Sequence, residues 1–283
     1  MVIMIGVLMT MVAGFFGEIG TSIGKREVNN HKESIYTMGF LNMFWITIIL
    51  LATAIFVSGS FVFSLASLPT FIVKIILELF QVHVSLLAIV TASRSTFGFL
   101  RIWTLPLLLI VDIALGYTVS PWQATGIFVL VAAFVLLFMN HGIEKKGSGY
   151  VMFTAFNAVA TISLYKYNIT NYNSVVAEQS ISYLILLLYS FIMASFVARE
   201  NPLSFFKKPR FLLQSLSEGV AGIISSFAYL FAPASIITAA GRSAGVFWSI
   251  VSGNVYFKES RLILKMSAMA LIVVGMFLLT QIS

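Results

Sequence analysis

The stretch LPTFIVKIILELFQVHVSLLAIVTASRSTFGFLRIWTLP, Leu68 to Pro106, decides how the rest of the chain is read. It is apolar enough to lie in a lipid bilayer, yet it carries Lys74, Glu78, His83, Arg94 and Arg101. A charged group near a bilayer centre costs roughly 2.5–3.5 kcal/mol on insertion scales, so such groups turn toward a protein interior or a water-filled cavity. The stretch therefore reads as the heart of a polar pathway.

The same pattern returns later. Pro69, Phe71 and Glu78 recur as Pro209, Phe211 and Glu218, each displaced by 140 (209−69, 211−71, 218−78). Arg101 and Lys25 recur as Arg242 and Lys166 at a displacement of 141, and Asp112 and Gly126 meet Asn254 and Ala268 at 142. A nearly constant offset predicts two copies of one unit, residues 1–142 and 143–283. The boundary falls in the loop around His141 to Gly149, where Glu144, Lys145 and Lys146 stand beside Gly147 and Gly149.

Composition sets the class. Of 283 residues, 59% are hydrophobic and 10% charged, and the mean hydropathy is +1.00. That is too apolar for a soluble domain and predicts a polytopic membrane protein. With about 20 apolar residues needed per spanning helix, ten segments emerge: 2–24, 36–58, 68–91, 94–116, 121–139, 149–168, 175–198, 211–231, 234–257 and 262–281. Five helices per copy is an odd number, so equivalent helices cross in opposite directions. The predicted fold class is an all-α membrane protein of ten transmembrane helices in a 5+5 inverted-topology repeat.

The net charge of +7 is carried mostly in short loops, which makes it a topology signal and not a nucleic-acid footprint. Lys25, Arg26, Lys32, Arg94, Lys145, Lys146, Arg199, Lys207, Lys208, Arg210, Lys258, Arg261 and Lys265 fall on one side, expected to be cytoplasmic; both termini are then outside. The N-terminal stretch reads as the first membrane helix, since it has no basic leader. With no cysteine in the chain, neither disulfides nor thiolate chemistry is available.

Intramembrane charge names the candidate site. Glu78 and Glu218 occupy equivalent places, and Arg101 and Arg242 lie in the depth of their segments, suited to bidentate capture of a carboxylate or phosphate. Asn157 offers a neutral donor and acceptor. Glu18, Glu78 and Glu218 are candidates for proton coupling, because burial favours the neutral acid. Lys74 and Glu78, four residues apart, are expected to pair. Glu178 and Asp112 are expected at the interface, Gly241 and Gly245 to serve close helix packing, and His83 to be a hydrogen-bonded packing residue. Asn168-Ile169-Thr170 matches a glycosylation acceptor on the outer side. Gly241-Arg242-Ser243-Ala244-Gly245 matches a nucleophile pattern but sits in an apolar helical segment without the required strand-to-helix turn. No metal-binding or cofactor motif occurs, so neither a catalytic site nor a cofactor is expected.

These features resemble the drug/metabolite transporter superfamily, specifically its ten-helix carriers with two EamA-type halves. Phe16-Gly17 followed by Lys25 is similar to the end of that family's first helix, with Phe16 where tryptophan is usual. Pro106, Gly116, Tyr117, Gln123 and Gly126 resemble its fourth and fifth helices, with Tyr117 where glutamate is common, and Lys258, Glu259 and Met266 to Gly275 repeat the pattern. The resemblance implies alternating access around a cavity bounded by helices 1, 3, 4, 6, 8 and 9.

The expected function is secondary transport, directed outward, of a small polar or zwitterionic metabolite such as an amino acid, by a cell-membrane protein acting as monomer or homodimer. Its expected partners are the solute and membrane lipid, with no nucleic acid and no enzymatic activity. An exporter of amphipathic drug-like cations is the alternative within the class; a channel, a lipid-handling protein or a receptor-like module is the alternative outside it.

Overall fold

The computed structural model describes residues 2–92, 100–101, 103–139, 145–257 and 262–281. Its α-helices, in chain order, are α1 (Val2–Asn29), α2 (Ile35–Phe56), α3 (Leu68–Thr91), α4 (Thr104–Ala114), α5 (Pro121–Met139), α6 (Ser148–Asn171), α7 (Val175–Ile192), α8 (Pro209–Ala228), α9 (Ala234–Phe257) and α10 (Leu262–Leu279). No strand occurs among the described residues. The protein is all-α and membrane-embedded in character. Among the described residues, five helical stretches are long and apolar enough to cross a membrane: Val2–Asn29, Ile35–Phe56, Leu65–Ala88, Val175–Val197 and Pro209–Ala228.

Local chemistry sets the helix starts. The Ser34 and Ser174 side chains accept hydrogen bonds from the backbone N–H groups of Thr37 and Ala177, capping α2 and α7. Pro69 and Pro209 stand in the first turns of α3 and α8, where a missing N–H costs nothing. α1 runs to Asn29, beyond the predicted end at 24, because a helix continues through solvated Lys25 and Arg26 although the apolar run has stopped. α7 gives way to a π-helical turn, Met193–Val197, within the predicted seventh segment.

Packing pairs early helices with late ones. α1 lies against α8 and α9, α2 against α7 and α8, α3 against α6, α4 against α9, and α5 against α10. Leu105, Ile127, Leu130, Ile236, Ile237 and Ile272 form the largest buried cluster, and Phe40, Leu41, Leu187 and Phe211 a second one. The outer surface is apolar as well: Phe56 is 83% exposed and Phe196 77%. Hydrophobic side chains so placed suit contact with lipid.

The α5–α10 contact shows how closely these helices approach. A Cβ on Gly126 would stand 2.9 Å from the Gly275 carbonyl oxygen and 3.1 Å from the Leu279 nitrogen, both backbone atoms. The close packing expected at Gly241 and Gly245 occurs against α1: a Cβ on Gly241 would stand 3.8 Å from Thr10, and one on Gly14 would stand 3.2 Å from the Gly245 nitrogen. A Cβ on Gly245 meets nothing within 4 Å, whereas one on Gly14 of α1 would be 2.7 Å from the Ala244 Cβ. Gly14 and Gly6, whose Cβ would be 2.8 Å from the Ile237 side chain, thus let α1 approach α9.

Candidate functional site

An acidic group and a pair of arginines lie among the helices, joined through two tyrosines. On α1, Glu18 accepts a hydrogen bond from Ser22 Oγ at 3.0 Å, and Thr21 Oγ1 donates to Glu218 Oε1 of α8 at 2.9 Å. Glu18 is within electrostatic reach of Glu218. Gly20 makes room for this contact: a Cβ there would be 2.8 Å from Glu218 Oε1. Tyr183 of α7 lies within electrostatic reach of Glu78, Glu218 and Tyr229. Tyr229 in turn neighbours Arg242, and its hydroxyl is 3.0 Å from Thr238 Oγ1.

The two arginines meet. Arg242 Nη1 on α9 donates to the Arg101 backbone carbonyl at 2.5 Å, and the two side chains, from equivalent positions of the two predicted copies, lie within electrostatic reach of each other. Glu18, Glu78, Glu218, Arg101 and Arg242 are all neither buried nor fully exposed. Charged groups among apolar helices with partial access suit a cavity that admits water.

Lys74 pairs with Glu78 as expected and also with a second, closer carboxylate that the sequence did not assign to it. Its Nζ is 2.6 Å from Glu178 Oε1 on α7 and only 3.9 Å from Glu78 Oε1. Glu178 is fully buried, contrary to its expected interfacial position, because Asn168 and Asn173 donate to its two oxygens at 3.0 and 2.6 Å while Ser182 Oγ accepts from Lys74 at 2.8 Å. A buried ion pair persists when such hydrogen bonds satisfy its remaining donors and acceptors. Glu78 keeps the longer contact to Lys74, with its Oε2 buried and unpartnered.

The same network settles Asn168. It is fully buried with its amide committed to Glu178, so the predicted glycosylation acceptor is inaccessible. Asp112, expected at the interface, is 1% exposed and accepts from the Ser235 backbone N–H at 2.6 Å, supplying from α4 a cap for the start of α9. Lys166 donates to the Tyr229 carbonyl at 2.6 Å.

Asn157 bridges helices: its Nδ2 donates to the Leu77 carbonyl and to Gln81 Oε1, both at 2.8 Å, joining α6 to α3. His83 Nδ1 is 2.6 Å from the Tyr189 hydroxyl, a packing contact of the kind predicted. Ser243 is buried within α9. Arg94, Gly98, His141, Glu144, Lys258, Glu259 and Arg261 lie outside the described residues.

Tyr183 and Tyr229 were missed by sequence reasoning, which looked for charge. Their signal was available as aromatic hydroxyls in otherwise apolar segments. A separate groove of about 770 Å³ opens between α3, α4 and α6, lined by groups such as Val73, Ile110 and Phe156, and faces the apolar surface, away from these charges.

No protein-family model matches the chain, and no curated protein matches it. Among solved structures, the chain is similar to a protein crystal structure at 14% identity and a TM-score of 0.64, covering 95% of this chain and 96% of that one. At such identity the likeness concerns the fold.

Proposed function

We propose that the protein is a secondary transporter of the drug/metabolite type that carries a small polar or zwitterionic metabolite outward by alternating access. One observation carries the reading: the partly accessible carboxylates Glu18, Glu78 and Glu218 and the neighbouring Arg101 and Arg242 stand inside an apolar helical body, and Tyr183 and Tyr229 link the acidic group to the basic one. A zwitterion offers an ammonium to the acidic side and a carboxylate to the basic side. The paired arginines make an amphipathic cation the poorer fit.

The packing map supports ten spans in two inverted five-helix copies. Exchanging each helix with the one five places away turns the α1–α8 contact into α6–α3 and returns α2–α7, α4–α9 and α5–α10 to themselves, and all of these contacts occur. Carriers built this way rock around a site between repeats. In this reading the basic loops face the cytoplasm, both termini lie outside, and the protein works in the cell membrane.

The test is uptake and counterflow in proteoliposomes with a pooled metabolite mixture, comparing the native chain with Glu78→Gln, Glu218→Gln and Arg242→Gln. Saturable exchange by the native chain, lost selectively in folded variants, is the expected result. Exchange that persists in all three variants would remove these residues from the pathway. Flux without counterflow would indicate a channel instead.

A further inference from the structure

The turn between α1 and α2 buries a carboxyl group that the central cavity does not use. Glu33 is 3% exposed, and neither of its side-chain oxygens has a hydrogen-bond partner. Each element around it contributes a charged or polar neighbour. Glu27 of α1 lies 3.5 Å from Lys32 of the same turn and 3.6 Å from Arg210 of α8. Glu200, between α7 and α8, accepts from the Ser34 N–H at 3.1 Å and from Thr37 Oγ1 at 2.5 Å.

Gln214 of α8 completes the cluster. Its amide adjoins Glu33, its Nε2 donates to Asn42 Oδ1 of α2 at 3.3 Å, and its Oε1 is fully buried without a partner. Lys32 and Arg210 are thus engaged with Glu27, and Glu33 faces two carboxylates and a neutral amide. An ionised carboxylate buried in this way is costly. One proton on Glu33 neutralises it and removes that cost.

The opposite end of the molecule supplies the contrast. Residues 140 positions later occupy a matching arrangement: Ser174 caps α7 as Ser34 caps α2, Asn173 stands where Glu33 does, and Gln214 stands where Lys74 does. There the buried carboxylate, Glu178, is held by Lys74 at 2.6 Å and by Asn173. That end is closed by a permanent charge pair. The end at Glu33 has the carboxyl group but a glutamine in place of the cation.

We propose that Glu33 is a proton-binding site that latches the ends of α1, α2 and α8 together: neutral Glu33 stays buried against Gln214 and holds this end shut, and ionised Glu33 moves to water and lets the three helix ends part. Burial, reinforced by Glu200 and Glu27 and opposed by the Gln214 amide, raises its pKa from 4.5 to about 8. The closed arrangement therefore holds the proton more tightly than the open one. Closure is fullest below the ordinary value of 4.5, weakens as pH rises, and stops changing near pH 8, where both forms are ionised. This does not depend on which solute the cavity carries.

Because the chain has no cysteine, one introduced thiol reports on the latch. Ser217 is buried on α8, close to Gln214 along the helix. Maleimide labelling of Ser217→Cys in the full-length protein is measured from about pH 5 to 9, alone and combined with Glu33→Gln, whose ratio cancels the pH dependence of the thiol itself. The ratio is expected to rise by up to about tenfold per pH unit and to level near pH 8. A ratio independent of pH overturns the proposal. Gln214→Lys is the second arm: by supplying the cation found at the other end, it is expected to keep labelling low at every pH relative to thiol reactivity. A native-like profile in that variant would equally count against the latch.

Discussion

Lys74 and Glu178 are both fully buried at 2.6 Å, so each depends on the other to be tolerated as a charge. Removing one partner strands the other. Lys74→Met or Glu178→Gln alone is expected to cost about 3–5 kcal/mol, with the double variant recovering much of that loss, as measured by thermal unfolding in detergent. Additive losses would show that the pair is not a unit. Glu218 responds to space instead: Gly20→Ala is expected to displace its side chain from Thr21 and reduce exchange while leaving the fold intact, checked by transport alongside size-exclusion behaviour. At this scale the sequence was half legible. Charge in apolar segments singled out Glu78, Glu218, Arg101 and Arg242 as candidates, and the i,i+4 rule found the Lys74–Glu78 pair at 3.9 Å but not the closer partner of Lys74, Glu178, which lies 104 residues away on another helix. No single-sequence periodicity carries a pairing of that range, and the same limit placed Glu178 and Asp112 at interfaces when both are buried.

Elements were more legible than contacts. Each helix from α1 to α10 overlaps one of the ten apolar segments, and five helical stretches among the described residues have the length and apolarity of a span. The boundaries drifted where charge and hydrogen bonding disagree, as at Asn29, where the ladder continues past the apolar run. Packing partners were only partly visible. Gly126 was found through its repeat partner Ala268, yet it meets Gly275, because helix crossing is set by both surfaces together. This contact makes a directional prediction. Gly126→Ala presses on backbone atoms of α10 and is expected to destabilise by about 1–3 kcal/mol. Gly275→Ala, whose nearest obstacle is the Leu130 side chain, is expected to cost less. Thermal midpoints of the two variants, measured side by side, decide it; the reverse order would mean that α5 and α10 cross differently.

The whole molecule joins two unlike ends through one charged centre. The end at Asn173 is fastened by Lys74 and Glu178, and the end at Ser34 by a carboxyl group without a cation, so the two closures differ in their dependence on pH. Between them, Thr21, Glu18 and Glu218 neighbour Tyr183, which also reaches Glu78 and, through Tyr229, the two arginines. The near-constant offset led the sequence to be read as two copies, whereas the difference between the ends rests on one exchange, Lys74 for Gln214, whose meaning depends on three-dimensional neighbours. The most direct measurement of alternating access is the reactivity of a single thiol at Thr21→Cys, beside Glu218, toward a membrane-impermeant reagent applied from each side of sealed vesicles in turn. Modification from both sides, slowed from both by transported solute, is the predicted result. Modification from one side only, under every condition of pH and solute, would contradict a carrier that opens its central site alternately to the two faces of the membrane.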